Sequence, residues 1–313
     1  MAADGLIPTF VLMGNHKYYR MLELNIDCIR RVYPTAPVIV YDWGGADYRP
    51  GFTRPEDGLV RVVDWGGAIK DTENLESSLR PAQKVDLAIR YNARFPRTLG
   101  QRIKKKILKS LPNSPLARPL IKDGLVFENM LAQKIPCMVD ASGRVGAGAM
   151  VFLDADAFLL RPLDGVLGRG DFDVAVTLIE RPCFEVNRCA VINSGVIFYG
   201  PDPAGRDAFL TAWLEACGRC DEWLKEQTSM VRMLEASGAP AFTAEALNRV
   251  ELAGRSVAVL SLAQRLYNNT DHECLRAGEV PCVAHFANTA NNDSYFDGLR
   301  RQLLQAAETL AGG

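Results

Sequence analysis

The sequence predicts an α/β fold, Rossmann-like, with a mixed but mostly parallel central sheet and helices on both of its faces. Three observations carry this. Short apolar, β-branched runs at residues 9–13, 38–41 and 59–63 have the length and composition of buried strands. Between the first two, Leu22, Ile26, Ile29 and Val32 recur at helical spacing. Strand, helix and strand in that order call for parallel pairing with crossover helices packed on the sheet.

The elements follow in chain order. The first run, Thr9–Met13, ends at Gly14-Asn15, and Pro34 stops the helix that follows. The next two strands run into the same five residues, Asp-Trp-Gly-Gly-Ala, at 42–46 and 64–68. These read as two similar turns, each at a strand's carboxyl end, the edge where α/β sheets bind ligands. Residues 97–122 form a basic insertion with eight cations (Arg97, Arg102, Lys104, Lys105, Lys106, Lys109, Arg118, Lys122) and no acidic residue. Ile103, Ile107, Leu108 and Leu111 share one helical face there, and Pro112, Pro115 and Pro119 are expected to break the helix. Further on, 127–139 reads as a helix, 150–153, 174–177 and 191–198 as strands, and 204–216 and 223–235 as helices. Residues 280–285 form a late apolar run, and a C-terminal helix is expected at 296–311.

With 313 residues, 48% hydrophobic, one large domain over 1–313 has enough apolar material for its core. A net charge of −1 argues against a nucleic-acid binder, which carries a basic excess. The eight cysteines hold a single C-x-x-C, Cys217–Cys220, without the second pair a zinc site needs. The first residues have neither the basic nor the apolar region of a signal peptide, and no apolar run approaches the ~20 residues that cross a bilayer. A cytoplasmic setting is expected, with possible peripheral placement at the inner membrane face through residues 97–122.

Three segments carry chemistry. Val151-Phe152-Leu153 runs straight into Asp154-Ala155-Asp156. Carboxylates this close repel unless a cation lies between them, and a hard divalent ion such as Mg²⁺ or Mn²⁺ both removes the repulsion and bridges to a diphosphate. Ala155 leaves room for a nucleotide. Asp171-Phe172-Asp173 has the same spacing but precedes its strand, which puts it at the amino edge and reads as a solvated turn. Within the apolar strand 191–198, Asn193, Ser194 and Gly195 interrupt; Gly marks close approach or a bulge, and Asn and Ser can bond sugar hydroxyls. Finally, Val283-Ala284-His285-Phe286-Ala287-Asn288 ends an apolar run on one of only three histidines, a third ligand acceptable to Mn²⁺.

In this order the segments resemble glycosyltransferase family 8, the glycogenin-like family of GT-A nucleotide-sugar transferases. Thr9 to Tyr18 is similar to the family's first strand and its uridine contacts, which points to Met13, Asn15 and Tyr18, with Asp42 as a further nucleotide contact. Asn129–Lys134 resembles the helix that carries a phosphate-binding lysine, here Lys134. Phe152–Phe158 matches the D-x-D strand and Asn193-Ser194-Gly195-Val196 the donor-sugar segment, with Asn288 on the same side. Glu226-Gln227 resembles the pair beside the reacting sugar, and His285-Phe286 the late metal-ligating His. The family's Lys-Pro-Trp after that His is absent, and Glu226 stands where Asp is commoner, so a divergent member is implied.

The resemblance implies a UDP-sugar donor, Mn²⁺ or Mg²⁺ held by Asp154, Asp156 and His285, and transfer with retention. The acceptor would be a glycan or a lipid-linked glycan, in surface polysaccharide or lipopolysaccharide assembly. Two other classes compete. A nucleotidyltransferase of related fold would carry a Gly-rich basic loop after the first strand, where this chain has Met13-Gly14-Asn15-His16-Lys17-Tyr18. A non-catalytic glycan- or membrane-surface-binding protein would have no need of the carboxylates and histidine together.

Overall fold

The computed structural model of the chain describes residues 6–45, 51–53, 58–93, 98–179, 191–238, 243–271, 280–286, 297–303 and 306. Its strands are β1 (Thr9–Gly14), β2 (Val38–Asp42), β3 (Val60–Asp64), β4 (Met150–Asp154), β5 (Ala157–Leu159), β6 (Val174–Leu178), β7 (Ile192–Tyr199), β8 (Leu247–Leu252), β9 (Arg255–Ala263) and β10 (Val283–His285). The helices are α1 (Tyr19–Val32), α2 (Gly66–Lys70), α3 (Glu73–Ser78), α4 (Pro81–Ala93), α5 (Leu99–Ser110), α6 (Ala117–Ala132), α7 (Lys134–Val145), α8 (Asp164–Leu167), α9 (Pro203–Arg219), α10 (Lys225–Ala236) and α11 (Gln264–Tyr267).

Eight strands form one sheet in the order β3-β2-β1-β4-β7-β6-β9-β8, and β10 pairs with β5 in a small second sheet. Strands β3, β2, β1 and β4 are mutually parallel, β7 is antiparallel to both neighbours, β6 and β9 are parallel, and β8 closes the edge antiparallel to β9. The expected α/β class with a mixed, mostly parallel sheet is therefore observed. The chain leaves β1 for β2 on one side and later returns as β4 on the other. The crevice above β1 and β4 is thus the point where strand order reverses, the usual ligand site of such sheets.

Strand alternation sorts the core into two layers. Val11, Met13, Ile39 and Tyr41 point to one face and pack with α7, α9 and α10 through Ile135, Met138, Phe209, Trp213 and Val231. Phe10, Leu12, Val38 and Val40 point to the other and meet Leu22, Ile26 and Ile29 of α1. Helices cover both faces, which is why β1, β2 and β6 are almost wholly buried. Leu299, Leu303 and Ala306, at helical spacing, pack on Met21, Leu24 and Cys28 of α1, and that is the part of the expected C-terminal helix within the described residues.

Three expectations are corrected. Pro119 does not break a helix; it sits in the first turn of α6, where its missing N–H would have no intrahelical partner anyway. The helix expected at 127–139 is the end of α6 and the start of α7, meeting at Gln133, so Lys134 opens α7. The apolar stripe at 103–111 is split: Leu108 is buried, Ile107 packs beside it, and Ile103 and Leu111 are exposed. The β8–β9 hairpin is an addition to the sequence reading. Its turn puts both Ala253 and Gly254 at positive φ, 48° and 73°, as a tight hairpin turn demands, but Ala lacks the Asn or Asp that signals such a turn.

Candidate active site

β4 carries four buried residues to the sheet edge and ends on Asp154, beside Met13 of β1. The chain then turns through Ala155 and Asp156 into β5, against which β10 lays His285 opposite Ala157. The Phe286 N–H donates to the Asp156 carbonyl at 2.8 Å, fixing the histidine strand on the turn. Asp154, Asp156 and His285 can each offer a ligand atom, all within 4.8 Å of one another. His285 Nε2 lies 3.3 Å from Asp156 Oδ1 and 4.0 Å from Asp154 Oδ2. Ligands about 2.1 Å from an octahedral ion are spaced ~3–4 Å apart, so two carboxylates and an imidazole in this arrangement fit a divalent cation such as Mn²⁺ or Mg²⁺.

The histidine is oriented from behind. Asn268 Nδ2 donates to Thr177 Oγ1 at 2.8 Å and to the Asn193 carbonyl at 3.2 Å, which turns its Oδ1 toward His285 Nδ1 at 2.8 Å. In the neutral ring that contact holds the proton on Nδ1 and leaves the Nε2 lone pair facing the carboxylates. Burial alone would lower the His285 pKa; the hydrogen bond and charge of Asp156 and the charge of Asp154 outweigh it and raise the pKa above the ordinary value. Across the turn, the fully buried Asn25 of α1 donates to the carbonyls of Asp154 at 3.3 Å and Ala157 at 2.7 Å, clamping the D-A-D segment.

The Asn193–Gly195 interruption is a β-bulge. Thr177 of β6 faces Asn193 while its neighbour Val176 faces Ile197, leaving Ser194, Gly195 and Val196 without partners on β6. On the other side Val196 pairs with Leu153, so the bulge stands beside Asp154. Gly195 is needed for space: a methyl group there would overlap the His285 imidazole and come within 2.9 Å of Asp154 Oδ2.

Lys134, buried at the start of α7, reaches the same point. Its Nζ lies 3.1 Å from Asp154 Oδ1 and 3.6 Å from Glu226 Oε1, and it donates to the Ser194 carbonyl and hydroxyl at 3.4 Å. Burial opposes its charge, but Asp154 and Glu226 raise its pKa above the ordinary lysine value. Glu226 is buried on α10 with Oε1 lacking a hydrogen-bond donor, and burial pushes its pKa up to about 7 against the pull of Lys134. Gln227 Oε1 accepts both the N–H and the hydroxyl of Ser194 at 3.3 Å.

α10 is itself anchored. Leu224, with φ 51°, occupies the left-handed region that leucine rarely adopts. The buried Glu128 of α6 accepts the N–H groups of Leu224 and Lys225, both at 3.2 Å, at the helix's positive end. Burial pushes the Glu128 pKa up to about 7 despite those bonds.

The site thus brings together Asp154, Asp156, His285, Lys134, Glu226, Gln227, Asn193, Ser194 and Gly195, with Met13 and Ala155 buried at its edge. Asn15 and Tyr18 follow β1 on the same sheet edge; Asn15 Oδ1 accepts the Lys17 N–H at 3.1 Å. Asp42 is differently placed. It is wholly buried, and its oxygens accept the Tyr19 hydroxyl and the N–H groups of Gly44, Gly51 and Phe52, so its carboxylate is spent on holding its own loop rather than free for a nucleotide. Asn288 lies outside the described residues. Three positioning residues escaped the sequence reading: Asn25, Asn268 and Glu128. For Asn25 and Glu128 the available signal was a polar side chain set among apolar ones on a helix.

No family model matches the chain, and no curated protein matches it in sequence. Among solved structures the chain is similar to the glycosyltransferase GlyE of Streptococcus pneumoniae TIGR4, with a TM-score of 0.45 and 12% identity over 96% of this chain and 60% of that one. This chain therefore spans less than two thirds of GlyE. It is also similar to a glycosyltransferase involved in glycosylation of the PBCV-1 major capsid (TM-score 0.47, 9% identity, 94% of this chain and 98% of that one). A third similar structure is an active-site mutant of LgtC (TM-score 0.42, 12% identity, 96% and 95%). These likenesses are distant, and the reading of the site rests on its own geometry.

Proposed function

We propose that this protein is a metal-dependent glycosyltransferase of the GT-A type that moves a sugar from a UDP-sugar to a glycan or lipid-linked acceptor, with retention. The observation that carries the reading is the Asp154–Asp156–His285 cluster at the carboxyl end of β4, at the strand-order switch, with a buried lysine and a buried carboxylate converging on it. A divalent ion held by these three residues would neutralise charge on a bound diphosphate. Lys134 supplies a second, fixed positive charge for the departing UDP as the sugar–phosphate bond breaks. Met13, Asn15, Tyr18 and Ala155 line the nucleotide side. Asn193, Ser194 and Gln227 orient the sugar hydroxyls, and Glu226 Oε1, which faces Lys134 Nζ at 3.6 Å but accepts no hydrogen bond among the described residues, is an acceptor for one of them. The acceptor hydroxyl forms the new glycosidic bond as the sugar–phosphate bond breaks, and its proton passes to the departing diphosphate, so that the products are the glycoside and UDP.

The test is product analysis with a panel of UDP-sugars and Mn²⁺. Release of UDP that stops in chelator supports the reading. Pyrophosphate from a nucleoside triphosphate would point to nucleotidyl transfer instead, and binding of glycan without UDP release would make the protein a binder.

A further inference from the structure

We propose that α5 and the turn after it form a docking surface for an anionic membrane leaflet. This does not depend on the transferase reading. α5 is the outer helix of the α4–α5–α6 group and is held by a narrow contact: Leu108 is wholly buried against Ala88, Ala117 and Leu120, with Ile107 packed beside it. The rest of the helix faces away. On that outer arc Arg102, Lys105, Lys106 and Lys109 are exposed, and interleaved with them Leu99 is 74% and Ile103 51% exposed. The turn that follows adds Leu111 at 54% and Leu116 at 63%. Of the ten exposed large hydrophobic residues among those described, four therefore fall within this one stretch.

The cations of α5 have no counter-charge within their own segment. Residues 98–122 contain no Asp or Glu, and among the described residues no ion pair involves Arg102, Lys104, Lys105, Lys106 or Lys109. Arg118 and Lys122 of α6 line a cleft of about 860 Å³ together with Asp71, Glu73 and Glu76. Four of the five α5 cations, Arg102, Lys105, Lys106 and Lys109, are exposed on the helix that also carries the exposed Leu99 and Ile103.

A helix with basic and apolar residues side by side on one outward arc fits a bilayer surface. The cations meet lipid phosphates while the aliphatic side chains enter the headgroup boundary, and the long lysine stems let both happen at one depth. A face that was only solvated would have no reason to carry Leu99, Ile103, Leu111 and Leu116 bare. No described helix is long and apolar enough to cross a membrane, so the contact proposed is peripheral.

Flotation of the full chain with vesicles tests this. The protein should float with phosphatidylcholine vesicles containing phosphatidylglycerol, not with phosphatidylcholine alone, and should be released by about 0.5 M salt. Exchanging Arg102, Lys105, Lys106 and Lys109 for Gln should weaken partition at least ~10-fold, with an unchanged melting temperature because all four side chains are exposed. Ile103→Trp, read by fluorescence, should shift to the blue on anionic vesicles as the residue enters the interface. Absence of flotation on anionic vesicles, equal flotation on neutral ones, or equal flotation of parent and four-Gln variant would each overturn the proposal and leave the apolar residues to a protein partner.

Discussion

The chain contains two Asp-x-Asp segments, and their fates differ. Asp154-Ala155-Asp156 leaves the carboxyl end of β4, where strand order reverses, and meets His285 and Lys134. Asp171-Phe172-Asp173 enters the amino end of β6, at the opposite edge of the sheet. There Asp171 pairs with Arg169 at the surface, Phe172 is buried, and Asp173 accepts the Ala258 N–H at 2.7 Å to join β6 to β9. The spacing is shared; the edge of the sheet decides whether two carboxylates converge with a histidine and a lysine or bond to the fold. Asp173 is accordingly less solvated than its position before a strand suggested.

Substitutions sharpen this contrast. The largest effect belongs to the first segment. Asp154→Asn or Asp156→Asn should lower sugar transfer by about a thousandfold or more; without metal the melting temperature should hold for Asp156→Asn and fall for Asp154→Asn, which takes a partner from the buried Lys134. UDP release and thermal melts check both halves. Next, Gly195→Ala removes no ligand yet pushes a methyl group into the His285 ring, so it should weaken Mn²⁺ binding about as strongly as His285→Ala, at least ~10-fold. Titration calorimetry compares the two, and a Gly195→Ala protein with parental metal affinity would refute the packing argument. Asn268→Ala, one shell further out, should cost 10–100-fold in metal affinity by releasing the ring, a range typical of such supports. Smallest, Asp173→Ala should leave metal-dependent UDP binding untouched and cost about 1 kcal/mol of stability by freeing the Ala258 N–H, read from denaturant curves.

The anchor of α10 adds a pH signature. Glu128 has a folded-state pKa raised to about 7 by burial, above its ordinary 4.5. Its contribution to stability is therefore full below pH 4.5 and is lost as pH rises toward 7, because the folded protein resists ionising it. Glu128→Gln keeps an acceptor for the Leu224 and Lys225 N–H groups without the charge. It should reduce the fall in stability between pH 5 and 8 seen in denaturation curves, leaving the share of Glu226, whose pKa is also pushed up to about 7, and an unchanged slope would remove Glu128 as a source.

What was legible in the sequence was what periodicity and strand-end chemistry encode. The first three strands, α1, β4, β6, β7 and the placing of Asp154, Asp156 and His285 at strand ends all announce themselves by apolar runs that stop on polar residues. Pro119 misled because a proline breaks a helix interior but suits its first turn, and only the structure says which it is. Asp42 is named as a nucleotide contact on the family resemblance, at the end of a strand. Its four internal acceptor contacts come from residues up to 23 positions away, which no local pattern reveals. Asn268 and Glu128 act across 17 and 96 residues on groups that the fold alone brings near.

The most direct measurement is UDP binding by titration calorimetry to the parent and to the Asp154→Asn, Asp156→Asn double variant, each with Mn²⁺ and with chelator. The account predicts tight binding for the parent only with Mn²⁺ and none of that gain for the variant. Equal UDP affinity in all four conditions would contradict it, since Asp154, Asp156 and His285 would then hold no ion that matters to the nucleotide.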